Sequence, residues 1–478
     1  MKRLPPSLTY FALLAIALLS HSSYAAKRNV VMFVVDDQGL HAGCYGDRNA
    51  RTPNLDSLAR EGTRFTHAFC TTASCSASRS VILSGLQNHD NGQYGHQHGY
   101  NNFHSRLHVK SLPNLLSQAG YRTARIGKYH LQPESIYQFD EHLRGNQGGS
   151  RNPVSMANRC EPWIRSEKGK PFFLYFCTSD PHRGGGYASD LPYQPNYFGN
   201  QAAYQGVDER YFDPETLKVP DYLPDTPTCR AELAQYYQSV ARIDQGLGRL
   251  IAILKSAGVY DDTLILYLSD NGIAFPGAKT TLYDPGMNLP LIVRNPYQPE
   301  HGVVTDAMVS WTDLTPTILD FAQVDQAAIL PKNHQFHGRS FLSVLNQTKT
   351  RGWDHVFASH TFHEITMYYP MRVIRTRDYK YILNLAHQLP FPFASDLYAA
   401  PTWQDNLKSG STHYGRRSIE AYLQRPRHEL YALQADPAEI QNLASAKAHQ
   451  AALTDLQNRL KQFQQETSDP WIVKYQYE

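Results

Sequence analysis

Cysteine is scarce in this chain. Six residues in 478 exclude a small scaffold held together by disulfides. Surplus charge is scarce too. The formal net charge is +3, too small for a surface that binds nucleic acid by bulk basicity, though compatible with an acidic substrate. Past residue 26 no apolar run is long enough to span a bilayer. No internal repeat or low-complexity tract stands out. A lone Asn-x-Thr sequon, at Asn346, argues against a heavily glycosylated surface.

What is present is ordinary globular material, 41% hydrophobic and 19% charged. The length points to two domains, or one large domain with an appendage. Residues 1–26 read as a signal peptide: Lys2 and Arg3 precede an apolar run from Tyr10 to Leu19, and Ser23-Tyr24-Ala25 offers a cleavage site. The expectation is an exported protein, periplasmic or secreted (lysosomal in a eukaryote), with no stable membrane anchor. With Cys75 set aside, the other five cysteines are odd in number, so at least one thiol stays unpaired.

The mature chain alternates strands and helices. Apolar strands are read at Asn29 to Val35, Thr123 to Ile126, Phe172 to Cys177, Leu264 to Leu268 and Leu289 to Val293. Helices are read at Pro53 to Gly62, Ser111 to Ala119, Arg230 to Ser256 and Leu314 to Phe321, several opened by proline and closed by glycine. Residues 134–165 read as loop, and Arg183 to about Pro227 as a polar insertion. This alternation argues for a mostly parallel sheet with helices on both faces. From about Met371 the character changes. A hairpin about Arg377-Asp378, a strand at Glu429 to Tyr431, a turn and short helix from Asp436 to Leu443 and a terminal helix from Ala446 to Glu466 predict a small antiparallel sheet with one covering helix. The expected division is a catalytic domain over 27–370 and a subdomain over 371–478.

Three strands end in polar clusters: Asp36-Asp37, Asp180-Pro181-His182 and Asp270-Asn271. One such cluster is an ordinary strand-end turn. Three can converge, because ligands in open α/β sheets bind at the carboxyl ends of strands. Their oxygens suit a hard cation, Ca²⁺ or Mg²⁺, rather than zinc. The segment Cys75-Ser76-Ala77-Ser78-Arg79, closed by Gly85, reads as a helix start. Cys75 sits at its N-terminus, where negative charge is favoured, with Arg79 one turn on. That pairing suits an anionic tetrahedral group such as a sulfate or phosphate ester.

The same segment resembles the Cys-x-Pro-x-Arg…Leu-Thr-Gly signature of the type I sulfatases, with Ala77 in place of proline and Ser84 in place of threonine. The resemblance implies an alkaline-phosphatase-like α/β fold and oxidation of Cys75 to formylglycine by a maturation enzyme. It further implies that Asp36, Asp37, Asp270 and Asn271, with the residue at 75, hold one divalent metal, usually calcium. Lys128, His130, His182 and Lys279 match the remaining pocket positions. Lysines and Arg79 neutralise sulfate oxygens, while imidazoles move protons. By this resemblance the formylglycine hydrate attacks sulfur, His182 protonates the leaving amine or alcohol, and His130 helps expel sulfate. The segments Asn91 to Gly95, His363 to Arg372, Leu389 to Phe393 and Asp469 to Trp471 resemble the sulfamidase branch of that family. That narrows the expected substrate to the N-sulfate of glucosamine in heparin or heparan sulfate fragments, with His363, Glu364 and Arg372 as substrate-binding candidates. An O-sulfatase, a phosphate or phosphonate ester hydrolase, and a silent glycan-binding protein with unmatured Cys75 are the alternatives. Oligomeric state stays open, a homodimer included.

Overall fold

The strand Asn29–Val35 (β1) carries a side chain to each face of a sheet in turn. Val30, Met32 and Val34 enter one core cluster, while Val31, Phe33 and Val35 enter another on the opposite face. A continuous apolar run is therefore what a strand buried on both faces requires. The computed structural model describes residues 28–145, 147–167, 169–184, 198–200 and 203–477. The expected signal peptide, and residues 185–197 of the expected insertion, lie outside the described residues.

Seven further strands complete the sheet: β2 (Thr63–Phe69), β3 (Arg122–Gly127), β4 (Glu141–His142), β5 (Phe172–Cys177), β6 (Thr263–Ser269), β7 (Leu291–Arg294) and β8 (Val303–Ser310). Their order is β4-β3-β5-β1-β6-β7-β2-β8. Neighbours run parallel, except that β7 is antiparallel to both β6 and β2. The mostly parallel α/β class expected from the sequence is present. The strands β2 and β8 were not anticipated, because threonine and histidine or aspartate interrupt their apolar pattern. Among the described residues no helix is long and apolar enough to cross a membrane, and all six cysteines are free thiols.

The expected loop over 134–165 is a correction, since a helix spans Pro153–Arg165. The Asn152 side chain accepts a hydrogen bond from Ser155 N and Pro153 takes the first turn, so the helix starts as capping chemistry prescribes. Met156, Ala157, Cys160 and Ile164 bury against Ile243, Leu247 and Leu250 of the long helix Pro227–Ser256. Tertiary burial supplies what a polar local sequence does not advertise.

A second sheet has the order β14-β11-β10-β9, from β9 (His355–His360), β10 (Met371–Thr376), β11 (Tyr379–Asn384) and β14 (His428–Ala432), all antiparallel. A ribbon of β12 (His413–Tyr414) and β13 (Arg417–Ser418) stands apart. The terminal helix Gln450–Glu466 packs Leu453, Leu456, Leu460 and Phe463 onto Ile374, Tyr381, Leu383 and Leu430. The hairpin thus forms as expected, but its sheet recruits β9 from upstream of residue 371. The expected short helix at Asp436 to Leu443 is instead a series of turns, with Asp436 Oδ2 accepting from Ile440 N and Gln441 N, each at 2.7 Å.

Gly127 closes β3 with φ of 85°, and a Cβ there would lie 1.9 Å from the Cys177 carbonyl oxygen. Gly127→Ala is expected to lower stability by more than about 2 kcal/mol in denaturant unfolding, since strain adds to the clash. Gly46→Ala, at the same φ but with nothing within 4 Å, should cost only about 1 kcal/mol.

Candidate active site

Four adjacent parallel strands, β3, β5, β1 and β6, deliver their carboxyl ends to one edge of the sheet. Register sets what meets there. Val34 is level with Cys177, Val35 with Ser269, and Gly127 with Cys177. The residues that follow are Asp36-Asp37, Thr178 to His182, Asp270-Asn271, and Lys128 to His130. The strand ends are stitched by Asp36 N donating to Asp180 O at 3.1 Å and Asp37 N donating to Asp270 Oδ1 at 3.1 Å. The helix Cys75–Ser84 (α2, following α1 at Pro53–Glu61) joins them. Its ten residues are all buried, and Ser78 Oγ donates to Asp270 O at 2.5 Å.

Asp36, Asp37, Cys75 and Asp270 place one ligand atom each within 4.8 Å of one another, all buried. Cys75 Sγ lies 3.6 Å from Asp37 Oδ1, and Asn271 Nδ2 donates to the same oxygen at 2.7 Å. Asp36 Oδ1 and Asn271 Oδ1 are buried with no hydrogen-bond partner. Burial, the Asp36 charge and the Asp37 charge together push Asp270 up to about 8, against the pull of Arg79 and Lys128. Crowded carboxylates with orphaned oxygens fit a hard divalent cation in the position expected from the sequence. Zinc would want nitrogen and sulfur donors instead.

Three cations answer the three carboxylates. Arg79 Nε donates to Asp270 Oδ2 at 2.8 Å, with Nη2 3.6 Å from Asp36. Lys128 pairs with Asp36, and Lys279 Nζ donates to Asp37 Oδ2 at 2.9 Å. Burial disfavours charge on both lysines, but the facing carboxylates outweigh it and hold both above their usual range. Both lysines line a cavity of about 870 Å³, together with Asp36, His130 and His182. Arg79 does not line it. It stands behind the carboxylates and fixes them, whereas both lysines face the cavity.

His182 lies with Nε2 3.7 Å from Asp37 Oδ2. Its Nδ1 is paired with the Arg183 carbonyl. A carbonyl only accepts, so Nδ1 carries hydrogen and Nε2 is the atom free to take and give a proton. Burial and Lys279 lower its pKa to about 4. His130 is held well below its usual value by burial and Lys128, and its buried Nδ1 has no partner. Asp37, His130 and Thr280 have φ of 64°, 56° and 68°. Left-handed backbone at three non-glycine positions is strain concentrated at this site.

Of the substrate candidates, His363 and Glu364 line the cavity and Arg372 does not. His363 Nε2 shares a hydrogen bond with His96 Nε2 at 2.9 Å, and its Nδ1 meets Ser74 Oγ at 2.9 Å. His96 Nδ1 lies 3.4 Å from Ser76 Oγ, so this pair brackets Cys75 through both its neighbours. Glu364 Oε1 accepts from Ser395 N at 2.9 Å and Ser395 Oγ at 2.5 Å. Arg372 is fully buried and donates to Asp469 through Nε at 2.5 Å and Nη2 at 2.9 Å. Asp180 also faces away from the cluster, towards Arg151 at 2.6 Å and Arg242 at 2.7 Å.

The residues missed by sequence reasoning are His96, His98 and Asp396, all on the cavity wall. Only Asp396 had a local signal, a short helix start at Ser395-Asp396, and such starts are common. Asp396 Oδ2 lies 3.1 Å from Lys279 Nζ and 4.0 Å from His182 Nε2. Burial opposes its charge, but Lys279 and His182 hold its carboxyl well below the usual range.

Residues 28–324 match the sulfatase family model. The chain belongs to the sulfatase family. Members of this family generally use a formylglycine and a divalent metal, and this sulfatase places its cysteine and its hard ligands accordingly. Residues 277–412 also match the model for the N-sulphoglucosamine sulphohydrolase C-terminal region. Human N-sulphoglucosamine sulphohydrolase is 39% identical over 469 residues, covering 94% of this chain and 92% of the human one. An ulvan-active sulfatase of Formosa agariphila is 28% identical, covering 89% and 77%. A protein solved in complex with its substrate D-glucosamine-2-N,6-O-disulfate superposes with a TM-score of 0.65 at 22% identity, covering 93% and 98%. A phosphonate monoester hydrolase of Agrobacterium radiobacter gives 0.63 at 19%, covering 92% and 96%. These two share the fold.

Arg372→Ala would leave Asp469 buried without its partner, and should lower stability by about 3–5 kcal/mol in urea unfolding. Burial works against the Asp469 charge, yet Arg372 wins and depresses its pKa. The ion pair's contribution is therefore present at neutral pH and lost as pH falls below the usual carboxylate range. A substrate-binding role would instead appear as a raised KM in a variant of unchanged stability.

Proposed function

We propose that this sulfatase hydrolyses the N-sulfate of terminal glucosamine in heparin or heparan sulfate fragments. The observation that carries the reading is the cavity wall. Its far side is built by 363–366 and 395–396, inside the stretch that matches the N-sulphoglucosamine sulphohydrolase model. A volume of about 870 Å³ accommodates one or two sugar units.

Calcium suits the oxygen donors Asp36, Asp37, Asp270 and Asn271. When in place, the cation and a formylglycine made from Cys75 by a maturation enzyme supply an activated oxygen nucleophile. The chain's own side chains do the rest. Lys128 and Lys279 bind sulfate oxygens and offset charge that builds in the transition state. His182 Nε2 takes the proton released as the oxygen nucleophile attacks and passes it to the leaving nitrogen. Neutral His130, with its unpaired Nδ1, takes up the proton freed as sulfate departs. Export to the periplasm or outside the cell, through the stretch at 1–26, places the enzyme with extracellular or scavenged glycans.

Four outcomes test this reading. Cys75→Ala should keep its fold by circular dichroism and lose all turnover of N-sulfoglucosamine. Adding Ca²⁺ to metal-stripped protein should raise its melting temperature, and Asp270→Asn should abolish most of that rise, because ligand binding to the native state stabilises it. His182→Ala should lose about 10²–10⁴-fold on N-sulfoglucosamine and far less on an activated aryl sulfate, whose leaving group needs no proton. Product analysis on N-sulfated against O-sulfated glucosamine separates this function from an O-sulfatase. Release of sulfate from the O-sulfated sugar alone would overturn it.

A further inference from the structure

Asp396 is a cavity residue to which the steps above give no task. It sits in the short helix Ser395–Tyr398, and Glu364 pins the start of that helix through Ser395 N and Oγ at 2.9 and 2.5 Å. Its position therefore does not depend on Lys279 alone. The side chain is 22% exposed on the cavity wall, with Oδ2 3.1 Å from Lys279 Nζ and 4.0 Å from His182 Nε2. Its Oδ1 has no hydrogen-bond partner.

His182 Nε2 marks where the leaving atom must be. A nitrogen that takes its proton from there stands about 3 Å away, on the cavity side, next to Asp396. Hydrolysis of a sulfamate consumes water and breaks the S–N bond. The bonding pair returns to nitrogen, which ends with both protons of the water, and the sulfuryl group takes the water's oxygen to become sulfate. At neutral pH the products are an ammonium ion and SO₄²⁻, so positive charge accumulates on nitrogen. A sulfate ester gives a neutral alcohol in the same place. A fixed carboxylate beside the leaving atom favours the first reaction and does nothing for the second.

We propose that Asp396 is a specificity-determining residue that selects an N-sulfate over an O-sulfate by pairing with the nitrogen as it becomes cationic. This rests on the reading of the chain as an N-sulfoglucosamine hydrolase with His182 as proton donor. A carboxylate that served only to balance Lys279 would act on the sulfate side of the cavity instead.

The test uses matured protein turning over N-sulfoglucosamine, with glucosamine and inorganic sulfate as product inhibitors. In Asp396→Asn the inhibition constant for glucosamine should rise about 10-fold or more, as expected for loss of a charge-assisted hydrogen bond, while that for sulfate moves less than about 3-fold. Equal movement of both constants, or movement of sulfate alone, would overturn the assignment. Unmutated enzyme gives a second measurement that needs no variant to fold. Glucosamine should inhibit it about 10-fold more strongly than glucose, which carries a hydroxyl at the same carbon, and equal inhibition would overturn the proposal. Failure of the unmutated enzyme to turn over N-sulfoglucosamine would remove the substrate reading and this inference together. A working enzyme with unmoved constants removes only the role of Asp396.

Discussion

Charge crowding at one sheet edge governs this structure. Asp36, Asp37 and Asp270 are all fully buried, and carboxylates so close cannot all ionise without compensation. Each answering cation comes from a different part of the chain: Arg79 from α2, Lys128 from the end of β3, Lys279 from the loop after β6. The need to bring them together fixes the seat of α2 against Asp270 and the left-handed turns at Asp37, His130 and Thr280. A divalent cation among the same oxygens tips the local balance positive, which is the state a sulfate group requires. Electrostatics thus ties the folding of the edge to the chemistry it can perform.

The labour is divided between two parts of the fold. The sheet edge and α2 hold Cys75, the clustered carboxylates and the cations that answer them. The far wall of the cavity is built later in the chain, from the segment between β9 and β10 and from the helix Ser395–Tyr398. That segment reaches back to α2, since His363 and His96 link Ser74 to Ser76 around residue 75. The five histidines on the cavity wall, His96, His98, His130, His182 and His363, all have lowered pKa values, because burial and then neighbouring lysines or histidines disfavour their charge. Burial thus favours their neutral forms, while the facing carboxylates keep the lysines charged.

Much of this was legible in the chain alone. Apolar runs followed by acidic or amide residues identified β1, β5 and β6 with the polar clusters at their ends, because a strand buried on both faces must be apolar throughout and its end is where polar groups become useful. Cys75 and Arg79 stood one helical turn apart, and proline and glycine marked the ends of several helices. Where local signals conflicted with burial the reading failed. Residues 153–165 look polar yet are helical, because their apolar stripe is completed by the long helix beside them. Arg372 resembled a substrate ligand by neighbourhood, whereas its partner lies 97 positions away at Asp469.

The sequence by itself determined the residue types of the chemistry and the strand ends that present them, since both follow from short-range periodicity and motif spacing. Only the tertiary structure decided which charges face which. Arg79 turned inward to the carboxylates, Asp180 turned away to Arg151 and Arg242, and Asp396 arrived beside Lys279 and His182 from more than a hundred residues downstream. No local pattern encodes such pairings, because Coulomb interaction depends on distance in space and on burial, and both are set by how the two sheets pack.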